Sequence, residues 1–246
     1  MQNQAPPGFN GQYNFDIKDI FSRAMKLSST NNWTLAQALL CILAITFVVY
    51  FIFIDAYGLT DLNAFLSQES PLSPEQQIFI ELTLTSLTAP LWTGVTMLAI
   101  KAKRGEDTAF TDIFVYFRLF IAVTVASVLI STVFTIGLSL YIIPGFYIFV
   151  ATTFTLPLIA DRGLAPISAV LLSIKMTNVY LIKMLILFGI FLVMMVLVLV
   201  SFGVAYIWVG PFYFNVKAIL YEDLFGSEQV SQQAEHDTTN DGVFNA

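Results

Sequence analysis

Four charged features within or beside the apolar runs could do chemistry: Glu81, the run KAKRGED at 101–107, the pair Asp161–Arg162, and Lys217. A carboxylate such as Glu81 inside an apolar run is a candidate intramembrane polar site, able to relay protons or hold a cation. Lys101, Lys103 and Arg104 suggest different chemistry. They are candidate contacts for lipid headgroups, each basic residue near an anionic surface contributing about 1 kcal/mol. Asp161 and Arg162 read as an ion pair closing a helix. Lys217 reads as a side chain that keeps its stem in lipid and extends its ammonium to the headgroups.

The rest of the reactive inventory points away from catalysis. The single histidine, His236, lies in a polar tail and reads as solvated. No histidine falls in an apolar run, so neither a serine–histidine dyad nor an HExxH zinc site is expected. No glycine-rich phosphate loop follows a strand, and no two acids face each other for acid–base work. No catalytic residue, metal site or cofactor is therefore expected. The lone cysteine, Cys41, sits in an apolar run and reads as a packing residue, with no disulfide framework. Basic residues interleaved with exposed aromatics are missing, so nucleic acid is not an expected partner.

These residues must be positioned by membrane helices. The chain is 57% hydrophobic and 11% charged, far from the roughly one-quarter charged composition of globular domains. About 20 residues cross a hydrocarbon core of about 30 Å. Met184–Tyr221 would make a single helix of about 57 Å, too long for any reasonable tilt. Gly203 stands near its middle, so two spans are expected there, 184–202 and 206–222. Trp33–Ile54, Ile78–Ile100, Leu119–Leu140 and Tyr141–Ala160 complete six. The expected fold is all-α, a polytopic bundle of six transmembrane helices over 16–226. Polar tails at 1–15 and 227–246 are expected to be disordered. No cleavable signal peptide is expected, because the first apolar run is too long for a signal core.

Orientation follows from the basic residues. Lys18, Arg23 and Lys26 precede span one, Lys101 to Arg118 follow span two, and Arg162, Lys175 and Lys183 follow span four. The other three connections carry no lysine or arginine. Both termini are thus expected in the cytoplasm.

A repeat organises the spans. IKDIFSRAMKL (17–27) and FTDIFVYFRLF (110–120) share Asp-Ile-Phe, and APISAVLLSIKMT (165–177) stands in the corresponding place before span five. Ile17, Ile20, Phe21, Ala24 and Leu27 share one helical face, as do Ile167, Val170, Leu171 and Ile174. Each hairpin is therefore expected to follow an amphipathic interfacial helix. Each returning span also carries a proline, at Pro90, Pro157 or Pro211. The backbone bonds these remove call for repair by neighbouring hydroxyls. Ser73, Pro74 and Gln76 spell a capping box at the start of span two.

LSPEQQIFIELTL (72–84) and YIIPGFYIFVATTFTLPLIADRGLAPISAVLLSIKMTNVYLIKM (141–184) resemble the matching stretches of the YciC family of bacterial inner-membrane proteins. Asp161, Arg162, Ala169 and Ser173 also occupy places similar to those in the membrane domain of some glycerophosphodiester phosphodiesterases. The chain departs from the family in its longer tails and its Asn-rich entry to span one. The resemblance implies a helical fold in the cell inner membrane and brings no catalytic residues. Two functions are then expected to compete. One is a non-enzymatic component of membrane homeostasis that binds anionic lipid or a membrane-protein partner. The other is a small-solute or proton-coupled transporter using the kinked spans and Glu81.

Overall fold

The computed structural model describes residues 13–57 and 72–226, and every regular element among them is helical. The expected tails, most of the loop before Ser73, and His236 lie outside the described residues. In chain order the helices are α1 (Ile17–Ala56), α2 (Pro74–Lys103), a 3-10 segment (Phe110–Leu119) running into α3 (Phe120–Leu140), α4 (Ile142–Ala151) and α5 (Thr155–Arg162). They are followed by α6 (Pro166–Val179), α7 (Leu181–Val200) and α8 (Tyr206–Phe225).

Local chemistry sets the ends. Asp16 caps α1 by accepting from the Lys18 amide at 2.9 Å. At α2 the capping box forms as expected: Gln76 N–H donates to Ser73 Oγ at 3.3 Å, and Ser73 N–H donates to Gln76 Oε1 at 2.8 Å. The apolar stretch after Met184 breaks where the glycine stands. α7 stops at Val200, Gly203 takes φ 88°, and α8 begins at Tyr206. A positive φ costs glycine little and other residues much. α3 and α4 likewise meet at a single extended residue, Tyr141, with Pro144 in the first turn of α4.

Five stretches are long and apolar enough to cross a membrane: α1, α2, the 3-10 segment with α3, α4 with α5, and α7. α8 is 20 residues long but carries Lys217, Glu222 and Asp223, and is not among the five. It is instead the most enclosed helix. Val209–Phe225 is buried except for half-buried Phe212, Tyr213, Glu222 and Asp223, against the second half of α2, where Ala89–Ile100 is buried except for half-exposed Trp92. α1, the 3-10 segment, α3 and α5 pack around this pair. Outward faces of α1, α3 and α7 are apolar, as in Phe47, Ile121 and Val193.

The expected interfacial helices emerge in three different forms. The first is no separate element, because α1 runs unbroken for 40 residues, about 60 Å at 1.5 Å per residue. Nothing between Leu27 and Trp33 is a glycine or proline able to stop it. The second is the 3-10 segment, with Ile113 and Tyr116 inward and Phe114 and Val115 outward. Only the third, α6, stands as a separate helix, ending at Val179 with Tyr180 as its C-cap. The apolar face expected from its sequence is not the face that packs against the bundle. Ile167 and Leu171 are exposed, and the inward stripe is Ala169, Ser173, Met176 and Thr177.

That inward stripe has work to do. Pro157 cannot donate to the carbonyl four residues back, and the fourth stretch breaks at Thr152–Phe154. Ser173 repairs the break, accepting from the Phe154 amide at 3.2 Å and donating to the Ala151 carbonyl at 2.7 Å. At Pro90 the freed carbonyl is that of Ser86, which accepts from Thr124 Oγ1 on α3 at 3.4 Å. Proline and repairing hydroxyl thus sit on different helices, which ties those helices together.

Candidate functional site

The charged residues gather at one end of the bundle, where the C-terminal ends of α2, α5 and α8 meet the first third of α1. Arg104, just past α2, is the hub. Its Nη1 and Nη2 donate to the two Asp161 oxygens at 2.8 and 3.0 Å, and its Nε donates to Glu222 Oε1 at 2.8 Å. Tyr221 adds its hydroxyl to Asp161 at 2.8 Å. The bond to Asp161 holds the Arg104 guanidinium well above its already high ordinary pKa, outweighing the opposing effect of burial. Asp161 therefore takes its partners from α2 and α8. Arg162 donates to the Phe225 carbonyl and lies over the Phe225 ring, 5.7 Å from its centre.

A second cluster joins α1 to α8. Arg23 makes a bidentate pair with Asp223 at 2.9 and 2.6 Å. Tyr13 donates its hydroxyl to the same carboxylate, and burial, then that carboxylate, push the phenol well above the ordinary tyrosine range. About two helical turns below, Asn31 and Asn215 exchange amide bonds at 3.0 and 3.1 Å, and Asn215 also reaches Ser28 at 2.8 Å. The Asn-rich entry to span one thus supplies a polar clamp between α1 and α8.

Beneath the charged end lies a cavity of about 390 Å³. α2 contributes Trp92 and Thr96, α4 Phe149, α7 Phe188, Phe191, Leu192 and Met195, and α8 Tyr213, Phe214 and Lys217. Trp92 stacks on Phe214 with ring centres 6.0 Å apart. Lys217 closes the inner wall. It does not extend to a headgroup surface but is only 8% exposed, its Nζ 3.4 Å from Thr96 Oγ1 and 6.0 Å from the Phe214 ring centre. Side chains on a helix lean toward its N-terminus, so the ammonium points away from the charged end. Eight residues separate Thr96 from Arg104, placing the ammonium about 12 Å below the ionic layer.

The other sequence-selected residues fall elsewhere. Glu81 is exposed near the far end of α2 and lines a hollow of about 310 Å³ with Tyr50, Gln77 and Thr85. Lys101 is half-buried and Lys103 exposed, while Arg104 is turned inward. Cys41 packs beside the core. No group of histidines, cysteines and acids among the described residues is arranged to hold a metal. The Lys217 cavity escaped sequence reasoning because spacing gives a residue's depth but not the direction it faces. Its signal was only that Lys217 follows Trp208, Tyr213 and Phe214 on a helix too polar to sit freely in lipid. Comparison with family models, curated proteins and solved structures finds no match to this chain.

Proposed function

We propose that this chain is a non-enzymatic, multi-pass protein of the bacterial inner membrane, related to the YciC-like family, that supports membrane homeostasis by holding anionic lipid at its cytoplasmic face. In this reading α8 is a sixth span, shielded from lipid by its neighbours, and both termini are cytoplasmic. The observation that carries it is the meeting of three returning helix ends, at Arg104, Asp161 and Glu222, with Arg23 of α1. Alternating spans bring those four points to one side. There the acids Asp161, Glu222 and Asp223 are engaged internally, while Lys18, Lys26, Lys103, Lys175 and Lys183 remain exposed. Lys101 and Lys103 are the headgroup contacts, and Arg104 holds the end together behind them. Phe110 and Phe114 face outward beside them, where aromatic rings suit the interface.

Native mass spectrometry from nanodiscs containing anionic and neutral lipids tests the reading. Anionic lipid retained by the protein and lost from Lys101→Gln/Lys103→Gln supports it. Equal retention of both lipid classes by both proteins refutes it. Glu81 in its hollow favours a second reading, passage of a small solute or proton. Glu81→Gln would then lower flux in liposomes, and flux at background in both proteins counts against transport.

A further inference from the structure

We propose that the Lys217 cavity binds a single-chain amphiphilic acid, with its carboxylate on the Lys217 ammonium and its hydrocarbon chain leaving sideways between α4 and α7. This site is distinct from Lys101 and Lys103 and shares with the preceding reading only the membrane setting.

The ammonium carries the argument. Lys217 is more than nine-tenths buried, and its one hydrogen-bond partner is a neutral hydroxyl, itself already donating to the Trp92 carbonyl at 3.0 Å. Among the described residues no carboxylate lies within ion-pair distance of it. A buried cation without an anion is expensive, and buried charges in proteins are ordinarily paired. Glu222, the next acid along α8, is already bonded to Arg104 and lies about 7.5 Å further along the axis. The cavity supplies the donor and lacks the acceptor.

Its walls define the rest of the ligand. Trp92, Phe188, Phe191 and Phe214 offer ring faces, and apart from Thr96, Lys217 and two tyrosines the lining is apolar. Phe149, Leu192 and Met195 are 42%, 55% and 44% exposed, so the mouth opens on the apolar flank of the bundle rather than at its charged end. Phe149 and Leu192 also border an adjoining groove of about 570 Å³, lined by Phe134, Leu138, Phe146 and Leu185. Cavities of roughly 300–1,000 Å³ hold small ligands. An acid head at Lys217 and a flexible chain running over Leu192 into the groove match this shape. A phospholipid would have to bring its glycerol, phosphodiester and second chain about 12 Å beneath the ionic layer. A carboxylate brings two oxygens.

Trp92 reports on occupancy. Trp33 and Trp208, the other two tryptophans, are exposed and are replaced by Phe. The protein in neutral-detergent micelles is titrated with dibromostearate, whose bromines quench a tryptophan only on contact. Saturable quenching is expected, with Lys217→Met weakening it at least tenfold. Met195→Phe, which narrows the mouth and leaves Lys217 intact, should weaken it severalfold and keeps the test open if Lys217→Met does not fold. Lys101→Gln/Lys103→Gln should leave the curve unchanged, so failure here and failure of the headgroup reading are separable. Superimposable curves for the parent and Lys217→Met would overturn the proposal. So would brominated phosphatidylglycerol saturating at the same mole fraction as the fatty acid, because the occupant would then be bilayer lipid. Loss of quenching in the double lysine variant would overturn the separateness of the two sites.

Discussion

Arg104→Met should destabilise the protein by about 3–4 kcal/mol. Two magnitudes compete for this network. A solvent-exposed ion pair contributes about 0–1 kcal/mol, whereas removing one partner of a buried pair costs about 3–5 kcal/mol. Side-chain exposures of 19% for Arg104, 12% for Asp161 and 19% for Glu222 place it with the buried pairs. Methionine preserves much of the stem's bulk, so the loss is electrostatic rather than a cavity. Two carboxylates, Asp161 and Glu222, are stranded, and a ceiling for each follows from the escape open to it, which is to take up a proton. From an ordinary pKa near 4 to pH 7 that costs about 4 kcal/mol, at 1.36 kcal/mol per unit. Tyr221 continues to donate to Asp161 and keeps that residue's share below its ceiling. Unfolding in mixed micelles of rising denaturing-detergent fraction, followed by circular dichroism, measures the loss. Asp161→Asn in the Arg104→Met background should restore about 1–2 kcal/mol, because it removes one of the two stranded charges and leaves an acceptor for Tyr221. The defect should also shrink as pH falls from 7 toward 5. In the variant the stranded carboxylates have raised folded-state pKa values, so their penalty is present above those values and relieved below them. A loss under 1 kcal/mol, or no restoration by Asp161→Asn, would falsify the account of Arg104 as a buried hub.

Three further outcomes are expected by the same assay. Ser173→Ala removes the repair of the α4–α5 break, stranding the Phe154 amide and Ala151 carbonyl, and should cost about 1–3 kcal/mol, with Ser173→Thr losing less than Ala. Asn215→Leu should cost about 0.6–1.7 kcal/mol, the range of interhelical hydrogen bonds in membrane proteins, and Asn31→Leu in that background should add little. Gly94→Ala puts a Cβ 2.6 Å from the Ile113 Cα and 2.7 Å from its carbonyl oxygen, both backbone atoms. The 3-10 segment must then shift off α2, and a loss of about 1–3 kcal/mol is expected, whereas Gly189→Ala, inside α7 with nothing near the added methyl, should be neutral or stabilise by up to about 1 kcal/mol.

What could be read from sequence was what is local. The break at Gly203, the turn at Tyr141 and the Ser73–Gln76 capping box each depend on residues within a few positions, and each formed as expected. Helical content and apolar spans followed from composition. The ionic layer did not follow, because Arg104 meets partners 57 and 118 positions away, and nothing in a single sequence pairs them. The neighbours Asp161 and Arg162 suggested an ion pair, but Asp161 is drawn to Arg104 and Tyr221. The packing face of α6 was not named for a different reason. Apolar stripes turn inward in water, whereas in lipid the outward face can be equally apolar and the close contacts belong to small and hydroxyl residues. Ala169, Ser173 and Thr177 carried that signal. Lys217 was misread because a lysine near a helix end ordinarily reaches the surface, and only tertiary packing turns it inward.

The burial of α8 bears on how the protein is made. α8 is the last of the described helices to leave the ribosome, yet it fills the centre of the bundle and brings Glu222 and Asp223 to the ionic layer. Arg104 is synthesised 118 residues before Glu222, a delay of about 6–24 s at roughly 5–20 residues per second. Throughout that interval Arg23 waits without Asp223, and α1 and α2 face a vacant centre. Insertion of the early spans must therefore proceed with an unfinished seam. Closure then comes in one late step. A chain stopped before Tyr206 would keep its apolar helices but never seal, leaving Arg23 without Asp223 and Arg104 without Glu222.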